Sequence, residues 1–291
     1  MDINLNLYRI FYIVAQSKSY SKASKKLHLS VSSISISITK LEDSLGTKLF
    51  YRESNGVRLT GAGNELFKHV EESLSSIDLG EKLITQKNDL TNGEISIGCY
   101  SHVVIFFLMD KIEKAMEDYP NLKINLICCT NSKEMLDLLQ KHKLDFMLDT
   151  VPLASDYNNI IVEELQSTDN IFVSKEKIEI NDLEDLKNYN FILNFDYTLT
   201  HKELLETLRK KNVDIVPKIR CDTTEIRVEA AKRNMGIAYV VRKIVEKELE
   251  RGELFEVKFP MKLPSTKIRL MYFKGQLTKA SKKFIKKYLK D

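Results

Sequence analysis

Glycine and proline are scarce, ten and five in 291 residues, and that scarcity excludes collagen-like repeats, elastic linkers and extended disorder. Long hydrophobic runs are missing as well. The most apolar stretch, Val103 to Met109, ends at Asp110, far short of the roughly 18 to 20 apolar residues of a membrane-spanning helix. Asp2 stands near the start, and no small-residue cleavage site follows the first apolar residues, so a cytoplasmic chain without a secretory leader or membrane partner is expected. Cys99, Cys128, Cys129 and Cys221 match neither paired C-x-x-C zinc spacing nor a disulfide framework; free thiols, no metal site and no cofactor are expected. No G-x-S-x-G, H-E-x-x-H, G-x-x-x-x-G-K-S/T or G-x-G-x-x-G occurs, which argues against an enzyme.

What is present is a folded, soluble composition, with 43% hydrophobic and 30% charged residues, in a chain long enough for two or three domains. The net charge of +4 is unevenly placed. Residues 1–64 hold nine Lys or Arg against four Asp or Glu, a net +5, whereas the remainder holds 36 against 37, a net −1. A basic end on a neutral body suggests that the first sixty residues meet a polyanion.

Leu7, Ile10, Phe11 and Val14 recur at helical spacing. A second short helix places Tyr20, Ala23 and Leu27 inward and Lys22, Lys25 and Lys26 outward, and Ser30 follows as a good N-cap. The next stretch reads two ways: Ile34, Ile36 and Ile38 alternate like a strand, whereas Ile34, Ile38, Leu41 and Leu45 step like a helix. The longer match, the Ser30 cap and the Gly46 stop select the helix. KLFYRESNGVRLT then reads as two strands around Asn55-Gly56. Three helices and a basic hairpin make a winged helix-turn-helix over residues 1–61.

Residues 62–90 read as a linker helix. Phe67, Val70, Leu74, Ile77 and Ile84 form a narrow apolar stripe with Glu81 at its one polar position. Such a stripe pairs with a copy of itself, and the competing reading is a helix lying on its own domain. From Asn92-Gly93 onward strands alternate with helices, including separate strands near 160–165 and 170–174, which argues for an α/β sheet over 91–291. The whole is α+β: a winged helix-turn-helix, a long linker helix and an α/β domain.

A major groove admits one helix whose first turns present short polar side chains to base edges. Ser30, Ser32, Ser33, Ser35 and Ser37 fit that description, Val31 and Ile36 stand beside them, and Lys40, Arg52 and Arg58 are placed to neutralise phosphates. For Val31 and Ile36 the alternatives are thymine methyls or packing on the neighbouring helix; for each basic residue, a phosphate or solvent.

The segment from Ser19 to Gly63 resembles the N-terminal domain of the LysR-type transcriptional regulators, with Ala23, Leu27, Ser30, Ser35, Ile38, Leu41, Glu42, Leu45, Gly46, Leu49, Phe50, Arg52, Leu59 and Thr60 among the ungapped matches. GEISIG at 93–98, DYPNLKINL at 118–126, LLQKHKLDFML at 138–148 and MGIAYVVRKIVEKELERGEL at 235–254 are similar to that family's effector domain. The resemblance implies a two-lobed, periplasmic-binding-protein-like domain, with lobe I at 93–160 and 267–291 and lobe II at 161–266. It also implies a homodimer that usually assembles into a homotetramer, double-stranded DNA carrying an interrupted inverted repeat, and a small-molecule effector. By the same resemblance the effector cleft is placed at Tyr100, Ser101, His102, Thr150, Asn194, Thr223, Thr224 and Tyr239, with Ser101 and Thr223 open to a second reading as helix caps. No arginine stands among these positions, so a carboxylate would rest on hydroxyls and backbone amides, and an uncharged or weakly anionic effector is an equal alternative. Where the family usually has Gln and Arg on the recognition helix, this chain has Val31 and Ile36, and an A·T-rich site is expected. The alternative function is thiol-based redox sensing through Cys99 and Cys128-Cys129 on the same fold.

Overall fold

The computed structural model describes residues 4–53, 55–84, 89–152, 159–195 and 198–290. They fall into two compact units, one within Met1–Thr85 joined by Gln140–Lys143, the other within Gln86–Leu139 and Leu144–Asp291.

In the first unit, α1 (Leu5–Ser17) buries Leu7, Ile10, Phe11 and Val14 against α2 (Tyr20–Leu27) and α3 (Val31–Leu45). Side-chain oxygens begin each helix: Asn4 accepts from the Asn6 N–H at 2.8 Å, Ser19 from Lys22 at 3.4 Å and Ser30 from Ser33 at 3.0 Å. The ambiguous isoleucine stretch is helical, because Ile34, Ile38 and Leu41 share one buried face and Gly46, at φ +66°, ends the turn. Strands β1 (Phe50–Glu53) and β2 (Gly56–Leu59) pair antiparallel with Glu53 opposite Gly56. Gly56 therefore opens β2 instead of sitting within the turn. Its φ of +148° and the Lys18 carbonyl oxygen, 2.3 Å from where a Cβ would lie, explain why glycine stands there.

Helix α4 (Gly61–Ile84) departs from the expected self-pairing stripe. Phe67, Val70 and Leu74 pack into the first unit's own core, with Val70 only 6% exposed and the Phe67 ring stacked on Tyr12 at 5.2 Å. Ile77 and Ile84 remain 48% and 79% exposed. The stripe divides because α1 covers only the first half of a helix of 24 residues.

The second unit runs β3 (Glu94–Cys99), α5 (Ser101–Val103) continuing through a π-helical turn (Val104–Leu108) into α6 (Met109–Asp118), β4 (Lys123–Cys128), α7 (Ser132–Gln140), β5 (Phe146–Asp149) and β6 (Ile160–Ser174). There follow β7 (Phe191–Leu193), α8 (Leu199–Arg209), β8 (Pro217–Arg220), α9 (Thr224–Lys232), β9 (Ile237–Val241), α10 (Glu246–Glu250), β10 (Phe255–Glu256), β11 (Ser265–Phe273) and α11 (Lys279–Phe284). Nine strands form one sheet in the order β4-β3-β5-β11-β6-β9-β7-β8, with β10 beside β6. Parallel groups β4-β3-β5 and β9-β7-β8 flank the antiparallel pair β11 and β6, which runs through both halves. One half packs around Ile95, Ile97, Phe146, Leu270 and Phe284, the other around Phe172, Phe191, Leu193 and Leu204.

The expected gap between strands at 165 and 170 does not exist; β6 is continuous over fifteen residues. Its polar middle reads as a loop, yet those groups are satisfied in place. Asn170 donates to the Pro264 carbonyl at 2.7 Å and accepts from the Thr266 hydroxyl at 3.0 Å.

Candidate functional sites

On the outer surface of α3, Ser30, Val31, Ser32, Ser33, Ile36 and Lys40 are exposed and Ser35 is half-buried. Exposures of 44% for Val31 and 69% for Ile36 remove the packing alternative within this chain: neither side chain belongs to the core that Ile34 and Ile38 build. Ser30 has a capping duty as well, since its Oγ takes the Ser33 N–H and lies 2.8 and 2.7 Å from the hydroxyls of Ser32 and Ser33. Ile36 and Lys40 border a shallow groove with Thr39, Asp43 and Ser44. In the hairpin Arg52 is exposed with no ion pair among the described residues, whereas Arg58 is held by Glu53 at 2.8 Å and lies over the Tyr51 ring at 4.7 Å.

Glu42 is what fastens the hairpin to the helix. Buried at the end of α3, its Oε1 accepts from the Leu49 N–H at 2.8 Å and from Phe50 at 3.3 Å, and Oε2 meets Lys48 Nζ at 2.7 Å. Burial opposes ionisation, but the ammonium and the two amides outweigh it and hold the carboxyl below the usual carboxylate range. Glu42 appeared in the sequence only as one of many family matches; a carboxylate on an otherwise apolar face was the signal of its role.

In the second unit the eight expected effector residues, Tyr100, Ser101, His102, Thr150, Asn194, Thr223, Thr224 and Tyr239, all line one cavity of about 670 Å³. They reach it from strand ends and helix starts: Tyr100 and Ser101 follow β3, Thr150 follows β5, Asn194 follows β7, and Thr223 and Thr224 begin α9. The walls are rich in hydroxyls and amides, with Thr198, Thr200, Thr266, Asn131 and Asn170 adding to them, and Val240, Val241 and Ile244 form an apolar patch.

The capping alternative fails for both hydroxyls to which it was open. Thr223 occupies the N-cap of α9, but its Oγ1 donates to Asp222 at 3.2 Å. Ser101 donates instead to Glu225 Oε1 at 3.0 Å, joining residues 124 apart. His102 stacks between Tyr100 and Phe106, with centroids 5.4 and 6.2 Å away, and burial followed by the Arg227 charge lowers its imidazole to about 4. It is therefore neutral near pH 7. Tyr100, hydrogen-bonded to Ser132 at 3.0 Å, is pushed up to about 12, mainly by burial, and Tyr239 is raised for the same reason.

None of the eight expected positions is an arginine, but the structure adds one beside them. Arg227 lines the cavity, 6% exposed, with Nη1 donating to the Cys221 carbonyl at 2.7 Å and Nη2 to Thr224 Oγ1 at 2.9 Å. An arginine within a helix reads from sequence as a solvated charge; its place three residues after Thr224, on the same helix face, was the available signal. Among the cysteines, burial first of all raises Cys99 to about 12 and Cys129 to about 11, the opposite of what a reactive thiolate requires. Among the described residues, no group of His, Cys, Asp and Glu could hold a metal ion, and no helix is long and apolar enough to cross a membrane.

Comparison with known proteins agrees with both halves of this geometry. Residues 5–64 match the family described as bacterial regulatory helix-turn-helix protein, lysR family, and residues 88–290 match the LysR substrate binding domain. The chain is 27% identical over 269 residues to the HTH-type transcriptional regulator YofA of Bacillus velezensis, covering 91% of this chain and 90% of that one. It is 24% identical over 264 residues to the RuBisCO operon transcriptional regulator of Allochromatium vinosum, covering 87% and 84%. The fold is similar to full-length AphB, the Vibrio cholerae virulence activator, with TM-score 0.61, 21% identity and 98% of each chain covered. It is also similar to a full-length OxyR variant from Pseudomonas aeruginosa, with TM-score 0.68, 16% identity and 95% and 91% covered. The chain belongs to the LysR family of transcriptional regulators, with an N-terminal helix-turn-helix and a C-terminal effector-binding domain.

Proposed function

We propose that α3 enters the DNA major groove with Ser32, Ser33 and Ser35 toward base edges and phosphates, and with Val31 and Ile36 toward thymine methyls. Lys40, Arg52 and Arg58 supply the phosphate contacts, Arg58 by exchanging Glu53 for the backbone. Two copies associate through the exposed half of α4, around Ile77 and Ile84, and read an interrupted inverted repeat. A small molecule bound in the cavity of the second unit modulates binding or promoter activation. The reading places the protein in the cytoplasm and gives it no catalytic role.

The observation that carries this reading is the convergence of all eight effector positions on one cavity of about 670 Å³. The raised thiols of Cys99 and Cys129 favour it over redox sensing. The test begins with selection of bound DNA from a random library by the full-length protein, followed by anisotropy titrations and a thermal-shift screen of small metabolites. A metabolite that raises Tm and alters DNA affinity in the wild type, but not in Thr150→Ala or Asn194→Ala, is the expected result. Equal action on wild type and both variants would move the effector out of this cavity.

A further inference from the structure

Two charged side chains on the first turns of α9 are held close together and left incomplete. Arg227 is nine-tenths buried and spends Nη1 and Nη2 on Cys221 and Thr224, but its Nε, also buried, makes no hydrogen bond among the described residues. Glu225 gives Oε1 to Ser101, while its buried Oε2 likewise has no partner. Neither of these two atoms hydrogen-bonds the other, although both residues line the same cavity. A buried donor or acceptor of this kind carries an uncompensated desolvation penalty, larger when charged.

The helix start adds a second feature. Thr223 leaves the first N–H groups of α9 without a side-chain cap, and those groups, with the positive end of the helix dipole, favour an anion. A plain carboxylate would complete Arg227 and these amides but leave Glu225 Oε2 bare. A neutral sugar would bring no charge to either group. A ligand that sets an anion beside a cationic donor satisfies every one of these atoms together.

On the reading that the effector occupies this cavity, we propose that it is an α-amino acid or a close derivative, its carboxylate at Arg227 and the α9 N-terminus and its ammonium at Glu225. Ser101 holds Glu225 for the ammonium, and Thr224 holds the Arg227 guanidinium for the carboxylate. The cavity is larger than the amino-acid core requires, and the apolar patch of Val241 and Ile244 offers the side chain a surface.

The experiment is calorimetric titration of the full-length protein with each standard L-amino acid. For any that binds, the deaminated acid and the decarboxylated amine of the same side chain follow. At least one amino acid is expected to bind, with both analogues weaker by about 30-fold or more, since each lacks one charged contact. Glu225→Gln, which keeps the Ser101 hydrogen bond, should weaken the amino acid roughly tenfold and leave the deaminated acid unchanged. Arg227→Gln should abolish both, and circular dichroism will show whether it folds; the Glu225 result stands without it. Failure of every amino acid at millimolar concentration overturns the proposal, as does a deaminated acid that binds more tightly than its amino-acid counterpart. If such a ligand is weakened by Thr150→Ala or Asn194→Ala, the cavity remains the effector site and only the ligand class is wrong. If it is indifferent to those substitutions as well, the cavity reading itself fails.

Discussion

Tyr12 and Phe67 stack with ring centroids 5.2 Å apart, which fastens the first half of α4 to α1. One helix thus serves two purposes along its length. Val70→Asp, at a position 6% exposed, should bury an unpaired charge and destabilise the first unit by about 3 kcal/mol or more. Ile77→Asp with Ile84→Asp should preserve helical content while weakening self-association. Circular dichroism and sedimentation velocity separate the two effects, and wild-type sedimentation of the Ile77/Ile84 double variant would show that its exposed half is not the interface.

Glu42 supports the hairpin from within. Glu42→Ala would strip the acceptor from the buried Leu49 and Phe50 amides and is expected to destabilise the first unit by about 3 kcal/mol, to be read from urea titration of the variant against the wild type. Its carboxyl lies below the ordinary range in the folded state, so its contribution is complete above the unfolded value and disappears as pH falls through the folded one. A loss no larger than that of an exposed Glu65→Ala control would remove Glu42 from this role.

Gly56→Ala meets both a φ of +148° and the Lys18 carbonyl oxygen at 2.3 Å. The hairpin must shift away from the α1–α2 turn, at roughly 1–3 kcal/mol of strain. DNA affinity should fall more than global stability, because the hairpin carries Arg52 and Arg58; unchanged affinity and an unchanged Tm would mean that the wing accommodates a methyl group freely.

Much of this was legible in the residues because local rules and tertiary packing agree. Ser30, the Ile34–Ile38–Leu41 face and Gly46 define α3 without reference to anything distant. The polar run before Asn170 misreads as a break because its partners, Pro264 and Thr266, lie more than ninety residues away. The stripe on α4 is legible as apolar but not as divided, since periodicity records that a face is covered and not by what. In the cavity, the hydroxyl positions were foreseeable by the family resemblance, whereas Arg227 was not: only the folded chain reveals that an arginine of ordinary helical spacing is buried and lines the cavity.

The His102 imidazole provides a pH test. Its folded value of about 4 lies below the unfolded value of 6.5, so between those limits the unfolded chain binds the proton that the native chain refuses. The stability lost on acidification therefore returns as pH rises through that window and is complete above about 6.5. His102→Phe, which retains a ring between Tyr100 and Phe106 and removes the titration beside Arg227 and Glu225, should flatten the stability difference between pH 7.5 and pH 5. Equal losses in wild type and variant, measured by urea unfolding, would assign the acid sensitivity elsewhere.

The proposed reading of DNA turns on Ile36. At 69% exposure on the outer face of α3 it contributes nothing to its own core, which leaves its side chain open to an apolar partner. A thymine methyl is the apolar feature that a major groove offers. Ile36→Ala should therefore leave stability within about 0.5 kcal/mol and reduce discrimination at one thymine position of the half-site. Arg52→Ala should instead weaken all sequences alike and lower the salt slope by about one. Replacing thymine by uracil deletes only the methyl, so wild-type affinity should fall at that position and the Ile36→Ala variant should not notice the change. Indifference of the wild type to uracil at every position of the half-site would withdraw the methyl contact and leave Ile36 to a protein partner.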